Sequence, residues 1–237
     1  MNGIYDIHTH IIPKVDDGAA SINEALKIIQ DEIHQGVTGI MLTPHFRLHM
    51  FEPTEEEIDR QYQILLQELR QRFPDLTIAF GREFHAVPDL EHFLKERKIY
   101  TLNSTKNLLL EFSGRHTPDF IKENTQKYLQ MGYQPIIAHI ERYPAVHRNY
   151  PLIQSLRDMG AAIQVNTDSI LGIDEWKSKR FCKALLKKRL VDYVASDVHN
   201  MTSRPSHIGA CADYIARKYG QEYAQELFID NPSRLFT

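Results

Sequence analysis

The stretch YDIHTHIIPKVDDG, residues 5–18, begins as a buried strand and ends as a cluster of ionisable groups. His8 and His10 stand one residue apart, followed by Asp16, Asp17 and Gly18. Side chains two apart on a strand project to the same side, so the two imidazoles form a pair. Charged or titratable groups at the end of an apolar run need partners, because an unpaired buried charge is expensive.

Six further runs repeat this layout: GIMLTPHF (39–46), LTIAFGREF (76–84), NLLLEFS (107–113), PIIAHIE (135–141), AAIQVNTDS (161–169) and VDYVASDVH (191–199). With IYDIHTHII (4–12) they make seven candidate strands, alternating with amphipathic helical runs. Ser21 with Glu24, and Thr54 with Glu57, have capping-box spacing at helix starts; Gly36, Gly132 and Gly160 close helices. No long linker, low-complexity stretch or repeat interrupts the series, which predicts one α/β domain over residues 1–237 with a parallel sheet.

The strand ends share a chemistry. His8 and His10 close the first, with Asp17 in the loop beyond; His45, Glu83, Glu111 and His139 close the second to fifth; Asp197 and His199 close the seventh. In a closed parallel barrel those ends meet on one face. Metal coordination satisfies all of them together, and so many donors suit two or three ions, with Glu83 the expected bridge. Mixed imidazole and carboxylate ligands suit manganese, iron or zinc, and the lack of thiolates argues against a structural zinc.

Composition narrows the rest. At 237 residues, 42% hydrophobic and 25% charged, the chain can bury one sizeable core. A net charge of −3 with scattered Lys and Arg gives no footprint for nucleic acid or an anionic membrane. No signal-peptide pattern and no apolar stretch of about 18 residues is present, so a soluble cytoplasmic protein is expected and a membrane protein is not. Two cysteines, Cys182 and Cys211, fit a reducing compartment.

The motifs DIHTHIIP, VDDG, TPH, GREF, LLLEF, AHIER and SDVHN occur in an order that resembles the polymerase and histidinol phosphatase (PHP) superfamily. Within it the chain looks like the bacterial manganese-dependent protein-tyrosine phosphatases of capsule and exopolysaccharide loci. The resemblance implies a distorted (β/α)7 TIM-like barrel with a three-metal site, and Mn2+ as the cofactor. It also implies a substrate, the phosphotyrosine tail of a bacterial tyrosine kinase that controls polysaccharide export. Carried over, one metal falls to His8, His10, Glu83 and Asp197, a second to Glu83, Glu111 and His139, and a third to Asp17, His45 and His199. Carboxylates at Asp17 and Glu111, where many PHP members have His, look like the tyrosine-phosphatase branch. Arg142 and Arg204 match the substrate arginines.

With three divalent ions and both arginines, the pocket would carry a charge of about +4, suited to a phosphomonoester dianion. The expected reaction is metal-assisted in-line hydrolysis, with Arg142 and Arg204 on the phosphoryl oxygens and His199 or Asp197 protonating the leaving phenolate. A histidinol phosphatase is the alternative enzyme, and a non-catalytic metal-binding domain the remaining class.

Other features are assigned to structure. CADYIAR (211–217) has the C-x5-R spacing of cysteine phosphatases, but it lacks the glycines of a phosphate loop and reads as an amphipathic helix. His34, His49, His85, His92, His116, His147 and His207 are assigned to surface or loop roles. Asn166 and Asp168 could line the site; Tyr143 and Phe46 could pack on a substrate ring, although aromatics there are more often core.

Overall fold

The first strand, β1 (Ile4–Thr9), is followed by helix α1 (Ile22–His34) and β2 (Val37–Leu42), which pairs with β1 in parallel. These elements come from a computed structural model that describes residues 1–87 and 101–237. His92 lies outside the described residues. Ser21 caps α1 by accepting from the Glu24 amide at 3.2 Å, but the Glu24 carboxylate accepts from Ala20, so this box is one-sided. Gly36, at φ +97°, carries the chain out of the helix in a conformation that side chains disfavour. The inner face of α1 buries Ala25, Leu26, Ile28 and Ile29, each large apolar side chain contributing roughly 1.5–3 kcal/mol.

Two of the seven expected strands are split. Pro44 has no amide to donate, and the run 39–46 divides into β2 and β3 (His45–Phe46). Beyond α2 (Glu55–Arg72), which carries a complete Thr54–Glu57 capping box, the run 76–84 divides at Gly81 into β4 (Thr77–Phe80) and β5 (Glu83–His85). A side chain at Gly81 would strike the backbone of Leu102. The halves stay in line, because the Gly81 amide donates to Leu42 O at 3.0 Å and the Glu83 amide to Pro44 O at 3.2 Å.

The other runs are strands as expected, each somewhat shorter: β6 (Asn107–Glu111), β7 (Gln134–Ile137), β8 (Ala162–Asn166) and β9 (Tyr193–Ala195). All pairings between them are parallel, in a three-stranded sheet β1-β2-β4 and a six-stranded sheet β3-β5-β6-β7-β8-β9. A parallel bridge from Thr9 to Val198, and hydrogen bonds from Asp197 N to His8 O and His10 N to Val198 O, join the last strand to the first. Seven strand positions therefore curl into a distorted barrel. Ile7, Met41, Ala79, Leu109, Ile136 and Ala195, one from each of six strands, pack in one buried cluster, as barrel interiors do. A larger apolar layer lies between sheet and helices.

The register of β1 slips: Asp6 faces Ile40 and Thr9 faces Leu42, so three steps on β1 match two on β2. Strict alternation would put Asp6 beside His8. The bulge separates them, with Asp6 against Glu32 of α1 and His8 against Glu83 at the barrel mouth.

Candidate metal centre

Glu83, at the start of β5, is the hub. Its Oε2 lies 3.2 Å from His8 Nε2, 3.4 Å from His10 Nε2 and 2.8 Å from His45 Nδ1, and its Oε1 lies 2.8 Å from His139 Nε2. Asp197 Oδ1 is 3.5 Å from His8 Nε2 and 3.4 Å from His10 Nε2, and those two ring nitrogens approach to 3.2 Å. Asp17 Oδ1 is 3.5 Å from Nε2 of both His45 and His199.

Four donor sets result, with atoms within 4.8 Å of one another: His8, His10 and Asp197; His8, Glu83 and His139; His45, Glu83 and Glu111; and His10, Asp17, His45 and His199. The eight donors singled out at strand ends in the sequence, and Asp17 from the loop beyond the first, gather at one mouth. The grouping differs in detail from the expected one, since His8 reaches towards His139, His45 towards Glu111, and His10 joins the Asp17 set.

These residues fit metal ions on three grounds. Glu83 Oε2 and His199 Nε2 are buried without a hydrogen-bond partner, which is costly unless a cation completes them. The histidine tautomers are also set. His8 Nδ1 faces Gln164 Oε1 (3.3 Å), His10 Nδ1 faces Asp16 Oδ2 (2.8 Å), His139 Nδ1 faces the Tyr143 hydroxyl (3.1 Å) and His199 Nδ1 faces Asp197 O (2.9 Å). Each of those oxygens can accept, so in the neutral ring Nδ1 carries the proton and Nε2 keeps its lone pair towards the centre. The Tyr143 hydroxyl itself donates to Ala138 O, which leaves it accepting from His139. His45 instead turns both nitrogens to carboxylates, its ring stacked on Phe51 at 5.3 Å and 9°.

The third ground is backbone strain. His139 (φ 31°) and Asp197 (φ 56°) are both left-handed non-glycine residues just past their strands, a conformation costing on the order of 1–3 kcal/mol. It turns the chain so that both side chains enter the mouth.

Burial opposes ionisation here, and the charges overcome it in opposite directions. Glu83 is buried, yet His8 and His45 hold its carboxyl well below the usual range; Asp197 is buried, yet Arg142 and His8 do the same. Against equal burial, Asp16 raises His10 well above the ordinary imidazole value, and Glu83 raises His8. His199 is pushed down to about 4 by burial and by His10.

Arg142 and Arg204 sit at the rim, donating to Asp197 Oδ2 at 2.7 and 3.0 Å. Arg142 is placed by a 3-10 turn, Ile140–Arg142, whose amide bond returns to His139 O. With two guanidiniums and Asn166 Nδ2 on one oxygen, Asp197 is held as an anion, which suits a ligand better than a proton donor.

The other expectations divide, some holding and some changing. Tyr143 and Phe46 are core residues, 1% and 3% exposed, not platforms for a substrate ring. His85 is no surface residue: it is half-buried, with Nδ1 3.0 Å from Glu111 Oε2. Asn166 touches the site through Asp197, whereas Asp168 pairs with His207 at 2.8 Å. His34, His49 and His147 are exposed and His116 is half-buried. Cys211 is fully buried in the helix Ile208–Tyr219, and burial pushes its thiol well above the usual value, so it offers no thiolate. Asp16, Gln164, Tyr143 and Phe51 support the candidate ligands and were not singled out for that role from the sequence. Only the Asp-Asp-Gly run carried a signal for any of them.

A parallel α/β barrel whose mouth gathers imidazoles, carboxylates and two arginines is a metal-dependent hydrolase architecture. The chain belongs to the capsular polysaccharide synthesis CpsB/CapC family, whose model matches residues 4–237. It is 38% identical over 231 residues to the tyrosine-protein phosphatase CpsB of Streptococcus agalactiae serotype V, covering 95% of each chain. Among solved structures it is similar to those of YwqE from Bacillus subtilis and CpsB from Streptococcus pneumoniae, described as metal-dependent tyrosine phosphatases, with a TM-score of 0.86, 28% identity and coverage of 97% and 98%. The histidinol phosphate phosphatase of Lactococcus lactis shares the fold, with a TM-score of 0.57, 14% identity and coverage of 93% and 95%.

Proposed function

We propose that this chain is a Mn2+-dependent tyrosine-protein phosphatase acting in the cytoplasm on the phosphotyrosine tail of a bacterial tyrosine kinase that controls polysaccharide export. As a member of the CpsB/CapC family it is a phosphoric monoester hydrolase. Among the described residues no helix is long and apolar enough to cross a membrane.

The carrying observation is the convergence of nine donors and two guanidiniums at one mouth. His8, His10, Glu83 and Asp197 would hold one ion, Glu83, Glu111 and His139 a second, and Asp17, His45 and His199 a third, with His10 close enough to share the last. Bound divalent ions supply Lewis acidity and activate water at neutral pH. The protein's own part is positional. Asp16, Gln164 and Tyr143 aim the imidazoles. Arg142 and Arg204, poised over Asp197, take the phosphoryl oxygens by planar, charge-assisted hydrogen bonds and stabilise charge as the P–O bond breaks. His199, its pKa pushed down to about 4 and its Nε2 turned to the third ion's position, serves there as a ligand and not as the proton donor to the leaving phenolate.

The test is turnover of a phosphotyrosine peptide and of histidinol phosphate side by side with Mn2+. A kcat/KM favouring the peptide is expected. Preference for histidinol phosphate would overturn the protein-substrate reading.

A further inference from the structure

Trp176, the chain's only tryptophan, is 67% exposed, more than any other large apolar side chain among the described residues. It opens the helix Trp176–Lys187 and borders a groove of about 420 Å3 lined also by Arg148, Tyr150, Lys177, Arg180 and Phe181. That volume lies in the range of built ligand clefts, about 300–1,000 Å3. Among the described residues no ion pair neutralises Arg148, Lys177 or Arg180. The ammonium of Lys188 adds a fourth positive group, 5.1 Å over the Tyr150 ring. In a chain of net charge −3, this is a local concentration of cations framed by aromatic faces.

The groove is tied to the site. His147 Nε2 donates to Glu141 O at 2.7 Å, beside Arg142 in the same 3-10 turn. Arg148 follows Arg142 by six residues, so the two lie at most about 20 Å apart along the chain. The 3-10 turn Pro144–Val146 shortens the path between them, so an extended peptide covers that span in no more than about six residues.

We propose that this groove is a second anchoring site for the protein substrate, and that it takes a phosphotyrosine side chain within reach of a six-residue extended spacing from the one being hydrolysed. The proposal rests on the tyrosine-phosphatase reading above. The ring lies against Trp176 and Tyr150, and the dianion meets Arg148, Lys177 and Arg180, a pairing of π-face and charge that a metabolite phosphate lacking the ring would not fill. Two linked sites raise affinity for a substrate that spans both, without any change in the chemistry at the mouth.

The experiment compares p-nitrophenyl phosphate, a peptide with one phosphotyrosine, and the same peptide with a second phosphotyrosine six residues away, on the metal-loaded enzyme. The expected KM is about tenfold lower for the doubly phosphorylated peptide. In the triple variant R148E/K177E/R180E that advantage is expected to vanish, while turnover of p-nitrophenyl phosphate confirms an intact enzyme. Trp176 fluorescence is expected to change on titration with a doubly substituted, non-hydrolysable phosphonate peptide, and less with the singly substituted one. Equal KM for both peptides in the wild type, or an undiminished preference in the triple variant, overturns the groove. If the wild type hydrolyses neither peptide, the phosphatase reading falls, and the Trp176 titration still decides whether the groove binds its ligand.

Discussion

Asp16 Oδ2 accepts from His10 Nδ1 at 2.8 Å and from the His45 amide at 3.0 Å, so one carboxylate orients an imidazole and the strand that carries a second. Gly18 lets the loop close over this pair, since a side chain there would overlap the His10 backbone. Asp16→Ala is expected to weaken metal binding roughly 10–100-fold, the usual cost of losing a carboxylate behind a ligating histidine. Asp16→Asn, whose oxygen can still accept, is expected to lose less. Calorimetric metal titrations read this, and unchanged affinity in Asp16→Ala would show that His10 is oriented without it.

Glu83→Ala removes the group that four imidazoles approach. Metal content by elemental analysis is expected to fall by at least one ion per chain. His34→Ala, at an exposed position, is the control that retains full content. Full loading of Glu83→Ala would remove it from the role of bridge.

Arg142→Ala should separate metal binding from catalysis. Guanidinium does not coordinate metals, so loading is expected to persist while kcat falls by roughly 10² to 10³ at similar KM. Normal kcat and KM on a phosphotyrosine peptide would reduce Arg142 to a charge resting on Asp197.

Chelation is expected to abolish activity and Mn2+ to restore it, whereas Cys211→Ser should leave the rate nearly unchanged. The Cys211 thiol is sealed in a helix face, far from the requirements of a phosphate loop. A folded Cys211→Ser protein without activity would revive the thiolate mechanism.

The buried acids behind β1 give a pH signature. Burial raises Asp6 to about 6, and burial with the neighbouring Asp6 raises Glu32 well above its ordinary value; Glu32 lies by Asp6 and Ser206 without a well-aligned hydrogen bond. Acids with raised folded pKa hold protons more tightly when folded, so their stabilising share exists below about pH 4 and is lost as pH rises through the folded values. Glu32→Gln, neutral throughout and able to donate to Asp6, is expected to raise stability by about 1–3 kcal/mol at pH 8, with the gain shrinking towards pH 5. Urea unfolding at both pH values measures it. An equal gain at the two values would mean that Glu32 is not the titrating group.

The convergence of donors was legible because eight of them stand at the ends of repeating apolar runs, with Asp17 in the loop beyond the first, a pattern that needs no knowledge of tertiary contacts. The strand breaks were legible too, in Pro44 and Gly81, but continuous apolar runs outweighed them. His45 and Glu83 consequently begin short second strands rather than ending long ones. Asp17 was singled out and Asp16 was not, because the part Asp16 plays, holding His10 and the His45 amide, depends on the loop closing on Ala19. His85 was misplaced because its partner, Glu111, lies across a strand pairing and not along the chain. Tyr143 hides its role in the opposite way, being wholly buried while its hydroxyl fixes His139.

The slipped register of β1 bears on which insertions and deletions the lineage can tolerate. The only residues between Asp6 and Thr9 are Ile7 and His8, so a deletion there takes away either a side chain of the barrel interior or a candidate ligand. Helix lengths and outer loops can drift without touching the mouth, because each strand end is fixed by its own ladder. Length variation in this lineage should therefore be absent from β1 and concentrate in the segments that return the chain from the mouth to the base of the barrel.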